Sequence, residues 1–147
     1  MIQTICSTGI RVSEHKYVTV DSIRTGKIRI INKGKERVVL LTKDLIKGLK
    51  LYCKSMGITS GPIFITRNGS PVNRSNIWAE MKSLCEAAGV EPNKVFPHNL
   101  RHLFALTYYR VEKDIVRLAD ILGHASIETT RIYTLTTLRT VFTHSHA

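Results

Sequence analysis

Apolar residues fall three and four apart over much of this chain, with short alternating stretches near its start. Ile115, Leu118, Ala119 and Leu122 form one helical stripe, closed by Gly123. Leu45, Leu49, Tyr52, Cys53 and Met56 form another in Thr42–Met56, with Thr42 able to cap its start and Gly57 its end. Asn73 can cap a third helix, striped by Ile77, Met81, Leu84, Cys85 and Ala88 and ended by Gly89. Pro97 suits a helix start and leads His98 to Tyr109. Ser126 caps one more, Ile127 to about Thr134, with Glu128 complementing its N-terminal dipole. The opening segment Ile2–Glu14 has helical spacing at Ile2, Ile5 and Cys6, weakened by Gly9. Tyr17–Val20 is β-prone. Lys27–Ile30 alternates, and Arg37–Leu41 is a second short β run. Asn32–Glu36 between them reads as a hairpin tip in which Gly34 can take positive φ. Gly61–Val72 is loop, with an Asn68-Gly69 turn beside Ile63-Phe64-Ile65. No internal repeat is visible. The expected fold is mostly α with a small antiparallel β-sheet, an α+β class.

A length of 147 residues predicts one domain, and a 43% hydrophobic share supplies a core. No apolar run reaches the ~18 residues of a membrane span, and no signal-peptide pattern opens the chain. The three cysteines Cys6, Cys53 and Cys85 are widely spaced in apolar patterns and read as reduced core residues of a cytoplasmic protein. Charge changes the picture most. Lys and Arg number 22 against 11 Asp and Glu, a net +11, which points to a polyanionic partner, nucleic acid first. Lys27, Arg29, Lys33, Lys35 and Arg37 concentrate on one hairpin, which favours a DNA-facing patch.

Carboxylates are scattered and form no DxD or HExxH pattern, so metal-dependent phosphoryl chemistry finds little support and no metal ligands are assigned. Cations and imidazoles cluster instead in the last third: His98, Arg101, His102, His124 and Arg131, with Tyr133 nine residues after His124. His98 and Arg101 share a helix face. Arginines grip the non-bridging oxygens of a phosphodiester, and a phenol of pKa ~10 becomes a nucleophile only where positive groups or a base favour phenolate. A lysine on a hairpin can protonate a departing alkoxide. Together these residues suit phosphoryl transfer with arginines in place of metal ions.

Three ordered motifs carry a resemblance. Thr8-Gly9-Ile10-Arg11-Val12-Ser13-Glu14 looks like the first arginine box of tyrosine recombinases, the integrase and Xer-type superfamily. His98-Asn99-Leu100-Arg101-His102 resembles that family's HxxR box, and Leu122 to Thr134 resembles its box running from LGH to the tyrosine. The resemblance spans about Thr8 to Thr134. It implies the tyrosine recombinase catalytic-domain fold, over residues 1–134, without the N-terminal DNA-clamping domain that family members usually carry. It implies that Arg11, Arg101 and His124 clamp the scissile phosphate, that His98 assists proton transfer, and that Tyr133 attacks phosphorus to give a 3′-phosphotyrosyl link. It further implies that the general acid for the 5′ oxygen is Lys33, with Lys35 as the alternative. Neither metal nor nucleotide cofactor is required. The implied partner is double-stranded DNA, held by the full-length form in a tetrameric synapse, with a monomer as the alternative for the isolated domain. Residues 135–147 form a tail in which Leu138, Val141 and Phe142 either anchor a neighbouring subunit or fold back on their own domain, while His144 and His146 read as a frayed end.

Two other functions compete: a non-catalytic DNA-binding module on the same scaffold, and a topoisomerase-like relaxing enzyme. Several residues have plainer expected roles. Glu14 reads as a structural ion-pair partner, His102 as an internally packed residue and His15 as an exposed one. Tyr17, Tyr52, Tyr108 and Tyr109 read as strand or packing residues.

Overall fold

The structure, a computed structural model, describes residues 1–134. The tail residues Leu138, Val141, Phe142, His144 and His146 lie outside them. Where the sequence alternates, strands β1 (Lys27–Asn32) and β2 (Lys35–Leu40) pair antiparallel, with Ile28 opposite Val39 and Ile30 opposite Arg37. Lys33 and Gly34 are the two turn residues, both at positive φ (50° and 75°), as a tight hairpin between right-twisted strands requires. Period-2 alternation turns Ile28, Ile30 and Val39 to the core and leaves Ile31, Val38 and Leu40 exposed.

Helices α3 (Lys43–Met56) and α4 (Arg74–Ala88) start where the capping residues predict. Thr42 Oγ1 accepts from the Leu45 N–H, Asn73 Oδ1 accepts from the Asn76 N–H, and left-handed Gly57 and Gly89 close the two ends. Of the α4 stripe, Ile77, Met81 and Cys85 are buried, whereas Leu84 is 57% exposed. Helices α5 (Pro97–Glu112) and α6 (Ile115–Leu122) follow, and α7 covers residues 127–134. The main core joins the inner face of the hairpin to Ile5, Leu45, Leu49, Phe64, Ile77, Met81 and Leu100. A second cluster of Ala105, Leu118 and Leu122 takes Phe104, Tyr108, Tyr109 and Tyr133 against it. The cysteines are free: Cys53 and Cys85 are buried and Cys6 is half-buried.

The beginning of the chain departs from expectation in two places. Helix α1 (Ile2–Thr8) does not run to Glu14, because Gly9 turns left-handed at φ 70° and ends it. A 3-10 turn over Val12–Tyr17 follows. Gly9 is needed for proximity as well as for φ, since a Cβ there would collide with the Phe104 ring of α5. The β-prone Tyr17–Val20 stretch forms one isolated bridge, Thr19 to Pro62, and then enters helix α2 (Val20–Thr25). Thr19 and Ser22 cap one another reciprocally there, Ser22 N–H to Thr19 Oγ1 and Thr19 N–H to Ser22 Oγ at 3.1 Å each. Satisfied helix-start donors override the β propensity of the side chains.

Candidate active site

Helix α5 presents His98, Arg101 and His102 on one face, because residues three and four apart align. Arg101 is only 3% exposed. Its Nη1 donates to the Gly9 carbonyl, and its Nη2 donates to the Leu122 carbonyl at 2.7 Å. One guanidinium thus ties the end of α1 to the end of α6. Its Nη2 also lies 3.4 Å from His124 Nε2. A guanidinium can only donate, so Nε2 accepts; the ring proton then sits on Nδ1, which donates to Thr130 Oγ1 at 2.7 Å. Burial, with Arg11 adding repulsion, pulls the Arg101 pKa down to about 10, which still leaves it charged at neutral pH.

Arg11 opens the 3-10 turn and keeps 38% of its side chain exposed, the posture of a cation available to a ligand. Glu14 holds that turn, its Oε1 accepting from the Arg11 backbone N–H at 2.7 Å. Glu14 also pairs with Arg37 through two bonds of 2.6 and 2.7 Å. Burial alone would raise the Glu14 pKa, but hydrogen bonds from Arg37 and Arg11 and their charges outweigh it and lower it. Glu14 is therefore an ion-pair partner, as its sequence position suggested.

Tyr133 reaches the same place from α7. Its ring centroid lies 3.6 Å from that of His102, 5.4 Å from His124 and 5.6 Å from His98, and Arg101 Cζ lies 6.0 Å away. Burial raises the phenol pKa, while the charge and hydrogen bond of Arg101 and the charge of Arg11 oppose that rise. Arg11, His98, Arg101, His124 and Tyr133 line one cavity of about 670 Å³, together with Trp78 and Phe96. Among the described residues no carboxylate lines it. An adjoining groove of about 870 Å³ shares Arg11, His124 and Thr129 with that cavity and runs to Lys33 and Lys35 at the hairpin tip. Among the described residues no group of His, Cys, Asp and Glu could hold a metal ion, and no helix is long and apolar enough to cross a membrane.

Placement differs from expectation for the basic hairpin. Lys27, Arg29, Lys33 and Lys35 are exposed, although Arg29 is paired with Glu36 at 2.6 Å. Arg37, expected on the DNA-facing patch, is not: it sits opposite Ile30 on the inward face, 13% exposed and held by Glu14. The alternation that predicts the strands also sends this arginine inward. His15 is buried, not exposed, edge-on to Phe64 at 6.4 Å between centroids. Tyr17 lies in the 3-10 turn rather than a strand, its hydroxyl donating to the Ile31 carbonyl at 2.7 Å. Two contributors go beyond the expected site: His102, placed in the imidazole cluster but expected to pack internally, and Thr130. His102, one turn beyond His98, faces His98 Nε2 at 3.1 Å and packs at a tilt against the Tyr133 ring, and Thr130 orients His124. The spacing of His102 from His98 was the available signal.

These imidazoles carry a pH signature. Burial first, then Arg101, Arg11 and Arg37, pushes His124 down to about 4; burial, then His98, Arg101 and His124, does the same to His102. Both are neutral at pH 7. As pH falls below the ordinary 6.5, the unfolded chain takes up protons that the folded chain refuses until about pH 4. Stability contributed by these rings is complete above 6.5 and is lost across that window. The melting temperature is expected to fall on acidification from pH 7 to 4, and His102→Gln should make the decline shallower. A decline of unchanged steepness in the variant would contradict this origin.

Residues 1–138 match the Phage integrase family. The chain is 34% identical to tyrosine recombinase XerD of Xanthomonas campestris over 92% of its own length and 46% of that protein's. It is 37% identical to tyrosine recombinase XerH of Campylobacter jejuni over 91% of its length and 40% of that protein's. The chain thus spans less than half the length of these relatives. Among solved structures, XerA recombinase superposes with a TM-score of 0.77 at 29% identity, covering 99% of this chain and 55% of that one. XerH bound to its difH substrate superposes with a TM-score of 0.76 at 30% identity, covering 90% and 41%. Sequence motifs, fold and relatives agree: this chain belongs to the phage integrase family and has the tyrosine recombinase catalytic-domain fold.

Proposed function

We propose that this chain cuts and rejoins DNA at specific sites through a 3′-phosphotyrosyl intermediate. The observation that carries the reading is the convergence of Arg11, Arg101, His124 and Tyr133, from four separate segments, on one cation-lined cavity. Arg11 and Arg101 neutralise the non-bridging oxygens of a phosphodiester seated there, as preorganised donors that need no rearrangement when charge develops. His124 is neutral in the free protein, and an anion in the cavity raises its pKa and makes it a third donor. The Tyr133 Oη forms a bond to phosphorus as the bond to the 5′ oxygen breaks. The phenolic proton passes toward His98, and Lys33 delivers a proton to the departing oxygen. Lys35 lines the same groove and is the alternative donor. Attack of a partner strand's 5′-hydroxyl reverses these steps, so the exchange conserves phosphodiester bonds without a nucleotide cofactor.

The partner is double-stranded DNA, reached in the cytoplasm, with Lys27, Arg29 and Lys35 contacting its backbone from the hairpin. Net charge of +11 and the bound substrate of the XerH neighbour support it. Exchange between two duplexes breaks four strands at one tyrosine each, which calls for four copies assembled on DNA.

The test uses a pool of suicide duplexes nicked near a randomised core, so that a cleaved end diffuses away and the covalent product accumulates. An adduct on a denaturing gel, mapped by mass spectrometry to Tyr133, is the expected result, and sequencing the trapped DNA gives the site. Salt-dependent binding by folded protein with no adduct would mean a non-catalytic binding module. Relaxation of supercoils without strand exchange would mean a topoisomerase-like enzyme.

A further inference from the structure

Arg37 has no part in the chemistry above, yet it is the most heavily tied side chain of the hairpin. It lies in β2, four residues past Lys33, with 13% of its side chain exposed. Nη1 and Nη2 donate to the two oxygens of Glu14 at 2.6 and 2.7 Å, and Nε donates to the Ile121 carbonyl at 3.0 Å. These partners belong to the two segments that carry the phosphate-binding cations. Glu14 holds the turn that begins at Arg11, and Ile121 lies in the last turn of α6, just before Gly123 and His124. The fit around the guanidinium is close. A Cβ on Gly123 would stand 2.9 Å from Nη1 and 3.0 Å from Cζ, so glycine there leaves the guanidinium its place.

We propose that Arg37 is a positioning residue that fixes the Lys33 hairpin against both the Arg11 turn and the His124 loop, so that the proton donor meets the leaving oxygen. The proposal rests on the reading of Lys33 as general acid. Such a donor must come within hydrogen-bond reach of the oxygen it protonates, and a displacement of about 1 Å can cost about 10²-fold in rate. Lys33 sits at an exposed two-residue turn, so its place relative to a bound duplex is set by what holds the two strands behind it. Tyr17 holds the β1 side of the tip through the Ile31 carbonyl, and Arg37 supplies the corresponding anchor on β2. A bidentate guanidinium on a carboxylate fixes orientation as well as distance, which a lysine in its place cannot do. The competing explanation is that Arg37 only neutralises Glu14 and acts through Arg11 or through folding in general.

A leaving-group substitution separates the two. In a duplex whose scissile 5′ oxygen is replaced by sulfur, the P–S bond breaks to give a thiolate. A thiol has a pKa near 8.5, so the thiolate departs without a proton. Single-turnover cleavage is measured on oxygen and sulfur versions of one suicide duplex, its sequence taken from the trapped pool, for the parent chain, Arg37→Ala, Arg37→Lys, Lys33→Ala and Arg101→Lys. On oxygen, Arg37→Ala is expected to cleave about 10²-fold more slowly, as Lys33→Ala does, with a smaller loss for Arg37→Lys. On sulfur, all three return to near the parent rate while Arg101→Lys stays slow. Rescue of Lys33→Ala without rescue of the Arg37 variants would overturn the proposal and leave the role of Lys33 standing. Failure of sulfur to rescue Lys33→Ala would remove that role and the proposal with it. If circular dichroism shows Arg37→Ala unfolded, Arg37→Lys decides.

Discussion

Tyr133→Phe is expected to abolish the covalent DNA adduct while leaving DNA affinity and its salt dependence unchanged. The substitution removes one oxygen and keeps the ring. That ring packs against Ala105, Leu118 and Leu122 and lies tilted against His102, so the apolar contacts that seat α7 survive. Loss of the hydroxyl's interactions should change stability by about 1 kcal/mol, too little to unfold the domain. Arg11, Arg101 and His124, the groups proposed to bind phosphate, are untouched, and electrostatic affinity for the DNA backbone does not depend on a neutral phenol. What disappears is the only atom proposed to bond phosphorus. Gel analysis of the suicide duplex, beside a filter-binding titration at several salt concentrations, measures both quantities. Adduct formation surviving in the variant would show that another nucleophile serves. Tyr108 and Tyr109 are then the nearest tyrosines in chain order, although both pack against the second core cluster.

Arg101→Lys is expected to lose adduct formation by about 10²–10³-fold and to destabilise the fold as well. The parent guanidinium serves two buried carbonyls, Gly9 and Leu122, while facing His124. A lysine ammonium is a single point and cannot span both. One carbonyl loses its donor, which costs about 1–3 kcal/mol and should show as a lower denaturation midpoint. The charge remains, yet its location shifts, and the contact that fixes the His124 tautomer goes with it. The catalytic deficit should persist at temperatures where the variant is fully folded. An unchanged cleavage rate in folded variant protein would remove Arg101 from the proposed phosphate clamp.

The two variants differ in what the sequence could say about them. Helix boundaries were legible wherever a capping side chain or a closing glycine marked them, as at Thr42, Asn73, Gly57, Gly89 and Gly123. These signals are local, acting within four residues of the backbone groups they satisfy, so no tertiary knowledge is needed to read them. The first arginine box was harder. Its residues suggested one helix to Glu14, yet Gly9 ends α1 because α5 passes so close that Phe104 occupies the space of a side chain. That requirement comes from a residue far along the chain. Arg37 shows a different failure. Counting cations on the hairpin grouped it with its neighbours, whereas alternation places it opposite buried Ile30. The pattern was present, but Glu14, the partner that makes an inward arginine tolerable, could be matched to it only in three dimensions. His15 is buried for a similar reason: a 3-10 turn directs it onto Phe64.

The sequence by itself determined the hairpin and the helices that follow it, the excess positive charge, the ordered motifs and hence the family, because each depends on residue identity and short spacing. Only the tertiary structure decided which cations stay exposed and which are internal ties, and that Tyr133 meets His98, His102 and His124 ring to ring. Burial, the tautomer of His124 and the lowered imidazole pKa values arise from groups brought together by folding, and interactions of that range leave no periodic trace along the chain.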